Sequence, residues 1–139
     1  MTKFSLDIEY DYDFVLIGIS CHEKDYRICW ALNNKLGINL KKENDLEIKD
    51  KKHKEVLSYP FYIFDYKEKY CEYFIIGNKN NQRMLVPEHK QADYFLKITG
   101  NVSSEEKQEI IKKIKEINIV LTAYEIDSGQ LKSKQNLLF

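Results

Sequence analysis

Residues 94–126 constrain the fold most, because a strand, a capped amphipathic helix and a second strand follow one another with almost no chain between them. Tyr94 to Ile98 is an apolar strand that ends at Thr99-Gly100-Asn101. Ser103 to Glu106 then has the spacing of a capping box, in which Ser and Glu each satisfy a backbone N–H that a helix start leaves open. Across 103–118, Ile110, Ile114 and Ile117, with Ile111 beside them, make one apolar stripe. Glu105, Glu106 and Glu109 come early and Lys112, Lys113 and Lys115 late, matching the helix dipole. Val120 to Ile126 closes the run as a strand. The succession predicts a β-α-β unit with a right-handed crossover.

A second such unit is predicted near the start. Phe4, Leu6 and Ile8 alternate with polar residues as a half-buried strand does, and Tyr10 to Asp13 reads as a polar turn. Phe14 to Ile19 is almost wholly apolar, the pattern of a strand covered on both faces. Ser20 to Glu23 has capping-box spacing, and Ile28, Cys29, Leu32 and Leu36 supply a helical stripe that Gly37 ends. Ile38 to Leu40 is expected to complete the unit as a strand.

Between the two units, residues 41–55 are densely charged, with Lys49, Lys51, Lys52 and Lys54 around His53, and read as a solvated loop or edge. Tyr59 to Tyr66 and Tyr70 to Ile76 are aromatic strands joined at Lys67-Glu68-Lys69. Residues 77–81 form a turn, Met84 to Val86 a short third strand, and Pro87 opens a brief helical turn. The predicted class is α+β: a mainly antiparallel sheet with two β-α-β units on a ferredoxin-like or ACT-like plan, helices on one face, and an aromatic β-meander between the units. Residues 1–128 are expected to form one domain, and 129–139 a tail able to dock on it.

Composition narrows the functional classes. Twenty-two basic residues balance twenty-two acidic ones, which removes the simplest electrostatic case for a nucleic-acid binder and leaves room only for a local basic patch. Acidic residues interrupt the first thirteen positions, so no secretory signal is expected, and no window has the ~20 apolar residues of a membrane span. The expected location is the cytoplasm. Cys21, Cys29 and Cys71 lie apart without a CxxC pair, so neither a disulfide framework nor a zinc site is expected. No phosphate-binding glycine loop occurs, and no cofactor is expected.

Val86-Pro87-Glu88-His89-Lys90-Gln91-Ala92-Asp93-Tyr94 resembles the signature of the IPExxxVDY family, a bacterial family of unassigned function. Pro87, Glu88, Asp93 and Tyr94 match at the signature spacing, while Val86 stands for Ile and Ala92 for Val. Asp25-Tyr26-Arg27, Phe95-Leu96-Lys97-Ile98, Thr122 to Asp127 and Leu131-Lys132-Ser133-Lys134 are similar to other recurring stretches of that family, so the resemblance spans most of the chain.

Pro87, Glu88, Asp93 and Tyr94 are therefore the candidate functional motif. Glu88 and Asp93 could act as an acid–base pair if they converged on a pocket. Local backbone needs explain both equally: negative charge is favoured where a turn starts, and Asp93 can cap the next strand or pair with a base. Cys21 and His22 at a helix start could make a reactive thiol, but adjacent residues there rarely face each other. Aromatic strands 59–76 alternate, Phe61 and Ile63 against Tyr62 and Phe64, and could stack bases or bury contacts. The favoured expectation is a non-catalytic interaction or regulatory module, binding a protein partner or itself through an aromatic sheet face or edge. A small enzyme using Glu88 and Asp93, with His89 or Arg27, is the alternative. The neighbourhood of the resembling family's genes, beside one for ribonuclease III, implies a third: an RNA-associated accessory protein.

Overall fold

The computed structural model describes residues 14–50, 52–80 and 83–139. The expected strand at Phe4 to Ile8 and turn at Tyr10 to Asp13 lie outside them. Among the described residues, eight strands and two α-helices run in chain order: β1 (Val15–Ser20), α1 (Asp25–Leu36), β2 (Lys41–Lys42), β3 (Leu46–Asp50), β4 (Glu55–Tyr59), β5 (Phe61–Tyr66), β6 (Cys71–Gly77), β7 (Tyr94–Gly100), α2 (Ser104–Lys115) and β8 (Thr122–Ile126). Six strands form one sheet in the order β2-β5-β6-β7-β1-β8, and β3 with β4 makes a separate hairpin. Every pairing is antiparallel. The fold is thus α+β with a mainly antiparallel sheet.

Both crossovers are split. β7 and β8 each run antiparallel to β1 and therefore parallel to one another, with β1 between them. β1 and β2 are likewise parallel but lie three strands apart. The strands β8-β1-β7-β6 reproduce the interleaved ferredoxin-like order, and β5 and β2 extend it.

The sheet separates two cores. On one face Ile17, Ile19, Ile75, Leu96 and Ile98 meet Ile28, Cys29 and Leu32 of α1 and Ile111 and Ile114 of α2. On the other, Leu16, Phe74, Ile76 and Phe95 meet Leu57 and Tyr59 of β4, the loop residues Leu85, Val86 and Ala92, and Leu131 and Leu137. Each fully buried aliphatic side chain contributes roughly 1.5–3 kcal/mol, so the second face, though it buries fewer residues, is a true core as well. The aromatic alternation follows: Tyr62 and Phe64 point to the helices, Phe61 and Ile63 to the opposite layer. Both faces of the meander are therefore filled by this chain's own elements.

The α2 capping box forms as the sequence expects, Glu106 N–H donating to Ser103 Oγ (3.1 Å) and Ser103 N–H to Glu106 Oε1 (3.3 Å). The buried stripe is centred on Ile111 and Ile114, with Ile110 and Ile117 at its margins. Gly37 ends α1 with φ +67°, the left-handed conformation anticipated there.

Four expectations need correction. Ser20 does not cap α1, because it is the last ladder residue of β1, opposite Thr122, and its hydroxyl donates to the Gln91 carbonyl. The helix begins at Asp25, after Lys24, without a side-chain cap. The strand expected at Ile38 to Leu40 falls at Lys41–Lys42, since Ile38 and Leu40 are drawn into the core instead. The charged segment 41–55 contains β3 and the start of β4: Pro60, which has no N–H to donate, splits the expected strand 59–66 into β4 and β5. Met84 to Val86 makes only an isolated bridge, Met84 to Lys79.

Candidate functional site

The signature loop is built around a side chain outside the signature. Asn78 follows β6 and is completely buried. Its Nδ2 donates to the carbonyls of Ala92 (2.8 Å) and His89 (3.0 Å), and its Oδ1 accepts from Val86 N–H (2.8 Å). Its own N–H donates to the Asp93 carbonyl and its carbonyl accepts from Leu85 N–H. One amide thereby satisfies both ends and the middle of residues 85–93, a loop whose backbone groups would otherwise be buried without partners. Two successive turns, His89 N–H to the Val86 carbonyl and Ala92 N–H to the His89 carbonyl, give the loop its shape.

The two carboxylates leave this loop in different directions. Glu88 accepts from the N–H and the hydroxyl of Ser133, both at 2.9 Å, and so grips the 131–139 segment. Burial would raise its pKa, but these hydrogen bonds to the ionised form prevail and hold it below the ordinary carboxylate range. Asp93 accepts from Cys21 N–H (2.8 Å) through Oδ2 and pairs with Lys79 Nζ (2.7 Å) through Oδ1. Tyr94, the first residue of β7, donates its hydroxyl to the Glu23 carbonyl (2.6 Å). Asp93 and Tyr94 thus secure the chain between β1 and α1, while Pro87 opens the turn that carries Glu88. The candidate motif residues share a loop, yet the two carboxylates bind different segments of the chain, Glu88 the one around Ser133 and Asp93 the one around Cys21.

A cleft of about 260 Å³ lies beside Asp93, lined by Cys21, His22, Pro60, Lys79 and Tyr94. Cys21 is buried there, and desolvation raises its thiol pKa, outweighing a backbone hydrogen bond. Cys21 does not stand at the helix start where the sequence put it: it precedes α1 by four residues, outside the first turn where the dipole would lower a thiol pKa. The three cysteines are free, and no cluster that could hold a metal occurs among the described residues.

The exposed apolar surface lies elsewhere. Trp30 on α1 is 71% exposed and Tyr26, one turn earlier, 62%. They flank a groove of about 650 Å³ completed by Ala31, Ile117 and Ile119, with Arg27 at its rim, ion-paired to Glu23. Leu121, just before β8, is also largely exposed. Sequence patterning could have found Trp30, since it faces away from the Ile28–Leu32 stripe. Asn78 carried only the weak signal of a polar residue after an apolar strand. Among the described residues no helix is long and apolar enough to cross a membrane. Neither a family model nor a curated protein matches this chain.

Proposed function

We propose that the chain is an IPExxxVDY-type protein acting as a non-catalytic interaction module, which associates with a second copy through the Trp30 groove. The observation that carries this reading is a large indole held outside the fold beside an apolar groove with room to receive one. Isolated exposed apolar residues are ordinary, but a contiguous aromatic patch flanking a concavity is what interfaces use. A symmetric contact employs the same patch twice, so Trp30 of each copy can enter the groove of the other. A formal net charge of zero leaves two copies no long-range repulsion to overcome.

The non-catalytic part of the reading is supported by the signature carboxylates, which are committed to this chain's own backbone rather than aimed into a shared pocket. The test is sedimentation equilibrium of the wild-type protein and Trp30→Ala across a dilution series. A buried interfacial Trp is worth about 2 kcal/mol or more, so the substitution should weaken association at least ~30-fold while leaving thermal stability intact. A wild-type protein that stays monomeric at the highest attainable concentration, or a dimer indifferent to Trp30→Ala, would refute the proposal.

A further inference from the structure

Lys97 is a lysine where the fold asks for an apolar residue. It lies in the middle of β7, between Leu96 and Ile98, and is only 3% exposed. Its Nζ sits among three rings, 4.0 Å from the Phe139 centroid, 4.7 Å from Phe14 and 5.5 Å from Phe74. Its hydrogen-bond partner is the Leu137 carbonyl. It forms no ion pair among the described residues. Desolvation dominates its titration and lowers its pKa to about 8, with the field of Glu72, two residues from Phe74 on the neighbouring strand, opposing weakly.

A single layer of chain covers this amine. Residues 131–139 contain one short 3₁₀ turn (Lys134–Leu137) and add no strand to the sheet. Their ties include Ser133 on Glu88, Asn136 Nδ2 on the Leu85 carbonyl (2.9 Å), the buried side chains of Leu131 and Leu137, and the ring of Phe139. The Phe139 ring stands edge-on to Phe61 and Phe74 at 5.0 and 5.2 Å, and occupies the place above Lys97. Segments with few backbone ties open at lower free energy than the sheet beneath them.

We propose that residues 131–139 are a displaceable strap, and that the Lys97 amine beneath it is an imine-forming site for small aromatic aldehydes. With the strap lifted, an aryl group takes the place of the Phe139 ring against Phe61 and Phe74, which brings its carbonyl carbon to Nζ. The neutral amine attacks that carbon to give a carbinolamine. Loss of water then breaks the C–O bond and forms C=N, both amine protons leave, and no electrons are exchanged with an external agent. Desolvation favours the neutral nucleophile and outweighs the attraction of the ring faces for the ammonium ion.

The test treats full-length protein at pH 8 with benzaldehyde and cyanoborohydride, which fixes any imine as a secondary amine, and maps the labelled lysines by peptide mass spectrometry. Wild-type protein, Glu88→Ala and Phe139→Ala are compared, with exposed Lys24 and Lys90 as internal standards. Removing the Glu88–Ser133 bonds should accelerate labelling of Lys97 at least ~10-fold, as expected when charge-assisted hydrogen bonds to the closed strap are lost. Lys24 and Lys90 should be unchanged, and propionaldehyde should discriminate against Lys97. Phe139→Ala keeps the Glu88 grip and opens the box alone, so it gives a second reading if Glu88→Ala impairs folding. A Lys97 that labels no faster in either folded variant than in the wild type, or shows no preference for the aryl aldehyde, would overturn the proposal and leave the segment a structural cover.

Discussion

Replacing Lys97 by Met should reverse the usual expectation that removing a hydrogen-bonded side chain destabilises a fold, and the effect should depend on pH. In the folded chain the ammonium ion is desolvated and its pKa falls from 10.5 to about 8. The unfolded chain therefore holds its proton through a window in which the folded chain has released it. Where the unfolded state binds more protons, stability rises with pH. Wild-type stability should gain about 2–3 kcal/mol from this residue between pH 7 and pH 10, as the folded chain releases a proton that the unfolded chain keeps. Lys97→Met has no such group, so its stability relative to wild type should be highest at pH 7 and fall by that amount at pH 10. The Leu137 hydrogen bond and the ring contacts differ between the ammonium and the amine, so their part in the slope is already contained in the lowered pKa. The buried tyrosines, whose pKa values burial raises, are common to both proteins and cancel in the difference. Urea denaturation of both proteins at five pH values measures the difference curve directly. A curve that varies by less than about 0.5 kcal/mol from pH 7 to 10 would mean that Lys97 keeps its proton, and would refute the desolvation argument.

Other consequences can be checked with single substitutions. Asn78→Ala strands the Ala92 and His89 carbonyls and the Val86 N–H in a buried loop, and should cost about 3 kcal/mol or more in chemical denaturation. Gly18→Ala places a Cβ 2.8 Å from the Tyr124 ring, so Tyr124 must move and its contact with His89 Nδ1 (3.3 Å) should be lost, visible as a changed His89 side-chain resonance and a lower melting temperature. Ser103→Ala removes the α2 cap and should cost about 1 kcal/mol, whereas Ser20→Ala should leave α1 helicity unchanged by circular dichroism, because Ser20 is not a cap.

The sequence made some of this fold legible and hid the rest for physical reasons. Strand 94–98 and helix 103–118 could be read because their capping chemistry and apolar period are local. The false capping box at Ser20 to Glu23 has the same letters, but a β-ladder to Thr122 had already claimed Ser20, and that partner is about a hundred residues away. The β3–β4 hairpin was obscured because its buried residues, Leu46, Ile48, Leu57 and Tyr59, are scattered among charges and only half of each strand is covered. The candidate motif could be located from its letters, but not its division of labour, which depends on where Ser133 and Cys21 arrive in space. Lys97 is the one charged residue in the strand read at Tyr94 to Ile98, and nothing in the sequence says which face it takes. Only the covering layer on the second face makes it a buried amine.

That division of labour gives the signature spacing a mechanical meaning. Glu88 and Asp93 are separated by the two turns that Asn78 holds together, and each carboxylate reaches a different part of the chain. Glu88 serves the segment that follows β8, while Asp93 and Tyr94 serve the link from β1 into α1. If the loop works as two separate grips on one rigid base, its substitutions should loosen different places. Amide exchange in Glu88→Ala should accelerate across residues 131–137 and leave residues 21–25 at wild-type rates. Asp93→Ala should do the opposite, since Cys21 N–H loses its acceptor and Lys79 its partner. Asn78→Ala should accelerate both, because the base itself loosens. If Glu88→Ala accelerated residues 21–25 as strongly as 131–137, the two carboxylates would belong to one coupled unit, and the case for a convergent site would be stronger than the case for a clasp.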